Sequence, residues 1–252
     1  MASYGDFAYY YDMLTENVDY DKRCEYICGL LAENGISEGI LLDLACGTGT
    51  MSLMFADKGY DVVGVDGSQE MLTQAQEKKM ESGADVIFLC QRMEELDLFG
   101  TINAAVSTLD SINHVTDEDT VKEIFRRVSL FMEDKGIFLF DVNTPYKHRE
   151  ILGDNTFIYD LDEVYCVWQN STDESLLTTI SLDLFEKDEE DEETYYRYSE
   201  EFSERAYDLD DIRVWLEDCR FEVVAVYEEM TKESVKADTQ RAVFVARKIG
   251  TQ

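Results

Sequence analysis

Leu41-Leu42-Asp43-Leu44-Ala45-Cys46-Gly47-Thr48-Gly49-Thr50 carries a buried apolar strand into a carboxylate and then into a glycine turn that opens a helix. This is the pattern of the first βα turn in a ligand-binding α/β domain. Glycines at 47 and 49 permit positive φ and close approach of a ligand to the backbone. A helix from about Met51 aims its free N–H groups at the same point. Asp43 narrows the choice of ligand, because a carboxylate at the mouth of the turn repels a pyrophosphate and attracts an ammonium or sulfonium centre.

Asp61-Val62-Val63-Gly64-Val65-Asp66 reads as a second strand. Its terminal acid lies roughly 20 residues past the glycine turn, where such folds place a carboxylate on ribose hydroxyls. The two acids and two glycines converge on one ligand. Leu41 to Thr50 and Val63 to Leu72 resemble the first two motifs of class I methyltransferases dependent on S-adenosylmethionine (SAM). The family pattern is an acid followed by three alternating glycines. Here Ala45 occupies the first glycine position, a variant familiar in bacterial small-molecule branches of the family, and the resemblance is closest to members with no assigned substrate. Asp66-Gly67-Ser68-Gln69-Glu70-Met71-Leu72 resembles the ribose motif and implies Met71 against the adenine face.

The resemblance implies an α/β fold, a Rossmann-like class I methyltransferase sheet with helices on both faces. At 252 residues the chain has room for one such domain and a modest insertion. The apolar and charged fractions, 45% and 31%, describe a globular protein with a highly charged surface. No apolar run approaches the roughly 18 residues of a membrane helix, and the N-terminus lacks a basic-then-apolar signal, so a cytoplasmic location is expected. Cys24, Cys28, Cys46, Cys90, Cys166 and Cys219 show no paired metal spacing and are expected as free thiols. With only His114 and His148, neither a metal site nor a histidine-based triad is expected. A net charge of −33 argues against nucleic acid and anionic membranes as partners. Oligomeric state is not legible.

Along the chain, helical spacing covers residues 20–34, 50–58 and 69–81, alternating with strands at about 39–44, 61–65 and 86–90. A fourth strand spans Ile102 to Ser107. Thr116-x-x-Asp119 suggests a capped helix start before a fifth strand from Ile137 to Val142. From Pro145 the pattern turns to aromatic and β-branched strands, at Thr156 to Tyr159, Val164 to Trp168, Leu176 to Phe185 and Thr194 to Phe202. Residues 1–144 and 206–252 are therefore expected to form the SAM-binding domain, with 145–205 an inserted antiparallel β subdomain roofing the cleft. The acids from Asp188 to Glu193 suit an exposed hairpin tip. Asp208 is expected to cap a final helix before two closing strands, Phe221 to Tyr227 and Ala242 to Ala246.

Methyl transfer from a sulfonium needs little acid-base machinery, because the leaving group is a neutral thioether. The loop after the fourth strand lies on the ligand-binding edge, and the resemblance assigns Thr108 and Leu109 to the cofactor and Asp110, Asn113 and His114 to the acceptor. Asn143 and Tyr146 are candidates for orienting the substrate, with Arg197 or Arg205 for gripping a carboxylate or phosphate. Tyr11, in an unusually aromatic N-terminal segment, is expected near the sulfonium. The cofactor set is thus Tyr11, Asp43, Ala45, Cys46, Gly47, Asp66, Gly67, Ser68, Met71, Gln91, Arg92, Met93, Thr108 and Leu109, with no metal. Arg92 departs from the family, which has there an acid accepting from the adenine amino group; Gln91 or Glu94 is the candidate substitute.

The expected reaction passes a methyl group from SAM to a small-molecule acceptor by in-line displacement, leaving S-adenosylhomocysteine. Two other readings stay open. One is a SAM-sensing or partner-binding module without turnover, marked by Arg92. The other is an NAD-dependent oxidoreductase, against which Asp43 argues.

Overall fold

Both faces of a central parallel sheet have to be covered, because its strands are near-continuous runs of Val, Ile, Leu and Ala. The computed structural model describes residues 18–160, 164–188 and 194–250; Tyr11 and residues 189–193 of the acidic run lie outside them. Five strands, β1 (Gly39–Leu44), β2 (Tyr60–Asp66), β3 (Val86–Cys90), β4 (Ile102–Ser107) and β5 (Met132–Asn143), run parallel. A second sheet then forms from β6 (Thr156–Asp160), β7 (Val164–Thr172), β8 (Leu177–Lys187) and β9 (Tyr195–Arg205). The chain returns to the first sheet with β10 (Phe221–Glu228) and β11 (Arg241–Lys248). The seven-stranded order is β10-β11-β5-β4-β1-β2-β3, with β11 antiparallel to both neighbours. The order reverses between β1 and β4, which opens a crevice at their carboxyl ends.

Helices α1 (Tyr20–Glu33) and α2 (Thr50–Asp57) cover one face of the sheet. Cys24, Ile27, Leu30, Leu31, Met51 and Phe55 meet Leu41, Ala104 and Leu139 there. Helices α4 (Glu118–Phe131) and α5 (Leu209–Asp218) cover the other, where Ile124, Phe125 and Leu216 meet Leu42, Ala105 and Phe140. Alternate residues of one strand serve opposite cores, as a period of two requires. Phe140 stacks on Phe244 at 5.1 Å and meets Phe138 at 4.7 Å, which joins β5 to β11. Helix α3 (Gln69–Ser82) follows β2 and is capped by Ser68, which accepts from Met71 N–H at 3.2 Å.

The four-stranded sheet is antiparallel in the order β6-β7-β8-β9. Its apolar face, Val164, Cys166, Ile180, Leu182 and Leu184, packs on Met71 of α3 and so lies beside the carboxyl end of β2. Three local features differ from expectation. The cap of α4 is Asp117, whose carboxylate accepts from Thr120 N–H at 2.9 Å, one residue later than Thr116. β5 begins at Met132, directly after α4, because Met132 pairs with Ile102 before the register shifts towards Ile137. A π-helical turn, Lys147–Leu152, precedes β6, so the insertion is not wholly β. Among the described residues no helix is long and apolar enough to cross a membrane.

Candidate active site

The motif turn is left-handed at three points: Ala45 at φ 61°, Gly47 at 54° and Gly49 at 77°. At Ala45 the side chain costs about 1 kcal/mol relative to glycine, which is why the family has glycine there. Gly49 is irreplaceable on packing grounds, since a Cβ would stand 2.8 Å from Ala75 Cβ and 2.9 Å from the Phe88 ring. Gly47 differs: a Cβ there would meet nothing within 4 Å, so its surface is open to a ligand. Asp66 ties the two turns together, accepting from Gly47 N–H and from Ser68 N–H, both at 2.8 Å. Its unused lone pairs remain for hydroxyl donors.

Asp43, 1% exposed, accepts from Ser52 Oγ at 2.5 Å. Burial pushes its carboxyl up to about 7, further raised by the Asp66 charge and opposed by the Ser52 hydrogen bond. Ser52, in the first turn of α2, is thus the partner of the motif acid. Asp43, Ala45, Cys46, Gly47, Thr108 and Leu109 line one cleft, with Tyr20 of α1 at its rim. A buried acid that gains from a cation, beside an open backbone turn, fits a ligand with a cationic amino-acid part, and Asp66 fits its ribose.

On the adenine side the arrangement is less open. The Gln91 side chain is spent on its own loop, donating to Asp97 O at 3.0 Å and accepting from Asp97 N–H at 2.9 Å. Arg92 is ion-paired with Glu94 within the 3₁₀ turn that contains Met93, and its stem runs 3.8 Å from where a Gly67 Cβ would stand. Of the two substitutes for the missing acid, only Glu94 keeps a free carboxylate oxygen there. Met71, 4% exposed, is packed beneath β7 and β8.

In the loop after β4, His114 lies 5.2 Å from the Phe202 ring and places Nε2 3.6 Å from Glu204 Oε1. Glu204, on β9, is 5% exposed; burial and the nearby Asp110 charge raise its carboxyl. Its second oxygen accepts from Asn143 Nδ2 at 3.3 Å and lies 3.9 Å from His148 Nε2. Asn143 also donates to Asp110 and accepts from Lys147 Nζ at 2.9 Å, so its amide organises charged groups. Burial works to raise the Asp110 carboxyl, but the Arg241 and Lys147 charges overcome it and hold it below the usual range.

Tyr146 lines a second pocket with Thr144, Arg149 and Lys236, away from the cofactor cleft. Arg197 is taken by Asp183 at 2.8 Å, and Arg205 faces Thr116 O and Glu118. Glu204 escaped the sequence reading. The alternation Phe202-x-Glu204, which points a carboxylate to the same face as an aromatic, was the available signal. Among the described residues no three His, Cys, Asp or Glu side chains gather as a metal site.

A family model described as a methyltransferase domain matches residues 41–136, from β1 into β5. YqeM of Bacillus subtilis, which carries a methyltransferase name, is 33% identical over 98% of both chains. A SAM-dependent methyltransferase from Clostridium acetobutylicum superposes with a TM-score of 0.89 at 32% identity, covering 97% of this chain and 98% of that one. A SAM-bound amino pentose methyltransferase from Micromonospora echinaspora shares the fold at TM-score 0.76 and 16% identity, over 95% and 96% of the two chains. The chain belongs to the class I SAM-dependent methyltransferases. Its cofactor is SAM, which removes the nicotinamide reading.

Proposed function

We propose that this methyltransferase acts on a small-molecule acceptor bound between the carboxyl edge of the parallel sheet and the inserted antiparallel sheet. The observation that carries the reading is the His114–Glu204 pair, 3.6 Å apart, contributed by the loop after β4 and by the insertion. Glu204 is buried and His114 only partly exposed, a setting that suits a small acceptor more than a protein surface. Two solved neighbours that match 95% of this chain, including the insertion, act on an amino pentose and on a sugar nitrogen by their titles. An amine or hydroxyl acceptor is the chemistry this supports.

SAM supplies an activated methyl group and leaves as a neutral thioether. The chain's own work is to hold and orient. Asp43, Gly47 and Asp66 hold the cofactor, and Gly67, Ser68 and Glu94 stand at its adenosine end. His114 faces the acceptor and takes its proton, with Glu204 fixing the ring. Asn143 acts through Asp110 and Glu204. The inserted sheet excludes water from the reacting atoms, so proximity and orientation carry most of the rate.

The test is methyl transfer from labelled SAM to a panel of aminosugars, amines, phenols and carboxylates, with a cell protein fraction run beside it. Label in the small molecules, at least tenfold lower for His114→Ala at unchanged S-adenosylhomocysteine affinity, is expected on the scale of general-base loss. Asp66→Ala is expected to lose that affinity itself. Label confined to protein would overturn the small-acceptor reading.

A further inference from the structure

Leu109 and Asp110 sit side by side in the left-handed region, at φ 58° and 55°, in the turn that follows β4. Neither is glycine, so a force from outside the turn has to hold it. A single carboxylate does so. Asp141 of β5, 2% exposed, accepts Leu109 N–H on Oδ2 at 2.9 Å and Asp110 N–H on Oδ1 at 2.7 Å. Successive amides converging on one point form an anion-binding nest, and here the chain supplies the anion itself.

Two further elements fix that carboxylate. Arg241 Nη1 of β11 donates to Oδ1 at 2.9 Å, and Arg23 Nη1 of α1 donates to Oδ2 at 3.3 Å. Both guanidinium groups also reach Glu229 Oε1, Arg23 at 2.5 Å and Arg241 at 3.5 Å. Arg241 adds a contact to Asp110 Oδ1 at 3.2 Å. Four donors saturate Asp141, and it does not line the cleft. Thr108 and Leu109 do, across from Asp43 and Gly47.

We propose that Asp141 is a positioning residue for the amino-acid part of the cofactor. It locks the Leu109–Asp110 turn in its left-handed shape against the motif turn, and Arg23 and Arg241 hold it in place. The inference rests on the reading of this cleft as the seat of the methionine part of SAM. Without the clamp the turn relaxes towards negative φ and carries the Thr108–Leu109 wall with it. Asp66 and the β2–β3 end, which serve the adenosine part, are held by other contacts and stay in place. The loss is therefore selective for one half of the ligand.

The experiment is isothermal titration of wild type and Asp141→Asn with two ligands, S-adenosylhomocysteine and methylthioadenosine. The second keeps the adenosine and thioether but lacks the amino-acid part. Asp141→Asn is expected to weaken S-adenosylhomocysteine about tenfold or more and methylthioadenosine less than about twofold. Adding Leu109→Gly to that variant restores part of the selective loss, because glycine adopts the left-handed shape unaided. An equal loss of both ligands, or unchanged S-adenosylhomocysteine affinity, overturns the proposal. If Asp141→Asn does not fold, Arg241→Gln carries the test, since it removes one clamp and leaves the carboxylate. A smaller loss with the same selectivity supports the proposal, and a loss without selectivity, or none, counts against it. Wild type that binds methylthioadenosine and not S-adenosylhomocysteine overturns the reading of the cleft itself.

Discussion

Asp43 combines two demands that conflict in the free protein. It must be buried to frame the motif turn, and it must be charged to receive a cation. Its carboxyl is raised to about 7, against 3.8 for an ordinary Asp, so the fold disfavours the charged form. The sign follows from linkage: the folded state holds a proton that the unfolded state has lost between those values, so this group's contribution declines as pH rises from about 4 to about 7. Asp43→Asn is expected to stabilise the ligand-free protein at pH 8 by about 4 kcal/mol in chemical denaturation, with little gain at pH 4. The same variant should bind S-adenosylhomocysteine far more weakly. In wild type, affinity should rise with pH through 7, with roughly half a proton released on binding at pH 7, measured by calorimetry in buffers of different ionisation enthalpy. Affinity independent of pH from 6 to 8 would separate Asp43 from the ligand's ammonium group. The sequence marked Asp43 by its place before the glycines, but its bond to Ser52 and its altered titration come from the packing around both.

Among the elements, the joint between the two sheets depends on Asn113. Its side chain is fully buried and makes three hydrogen bonds: Nδ2 donates to Asn143 O at 3.1 Å and to Arg205 O at 2.9 Å, and Oδ1 accepts from Asn143 N–H at 2.8 Å. Its backbone carbonyl also receives Arg205 N–H at 2.8 Å. One residue thus joins the loop after β4, the end of β5 and the end of β9. Asn113→Ala leaves three buried backbone groups short of a partner and should cost about 2–4 kcal/mol. Hydrogen exchange should quicken in β9 and around Asn143 while β10 and β11 keep their protection; uniform quickening would deny the joint its local role. Strands and helices were legible because periods of two and 3.6 are written into the apolar positions. The joint was not, since residues 113, 143 and 205 are distant in sequence and polar loop residues carry no period. The course of Tyr146 into the second pocket follows from the π-helical turn after it, which no local pattern announces.

At the scale of the whole molecule the charge of −33 acts on everything at once. Like charges spread over one surface repel, and the compact state suffers more than the expanded one. Raising KCl from 0.01 to 0.5 M shortens the screening length several-fold and should lift the melting temperature by roughly 3–6 °C. A melting temperature that falls would mean that ion pairs such as those of Arg23 and Arg241 outweigh the repulsion. The same field holds polyanions away from the surface.

What the sequence determined by itself is the class: an apolar strand, an acid, left-handed glycines and a second acid at the next strand end lie close together in the chain, and local chemistry confines them to one ligand. The parallel sheet followed from the same local patterns, repeated. The tertiary structure decided which side chains are left free to meet a substrate. Gln91 and Asn143 have their amides occupied, Glu204 is brought to His114 by a strand some ninety residues further along the chain, and Asp141 holds a turn it does not adjoin. Such pairings arise from the register of strands and the closure of two sheets, and burial then sets the charge of each group, so no short stretch of sequence contains them.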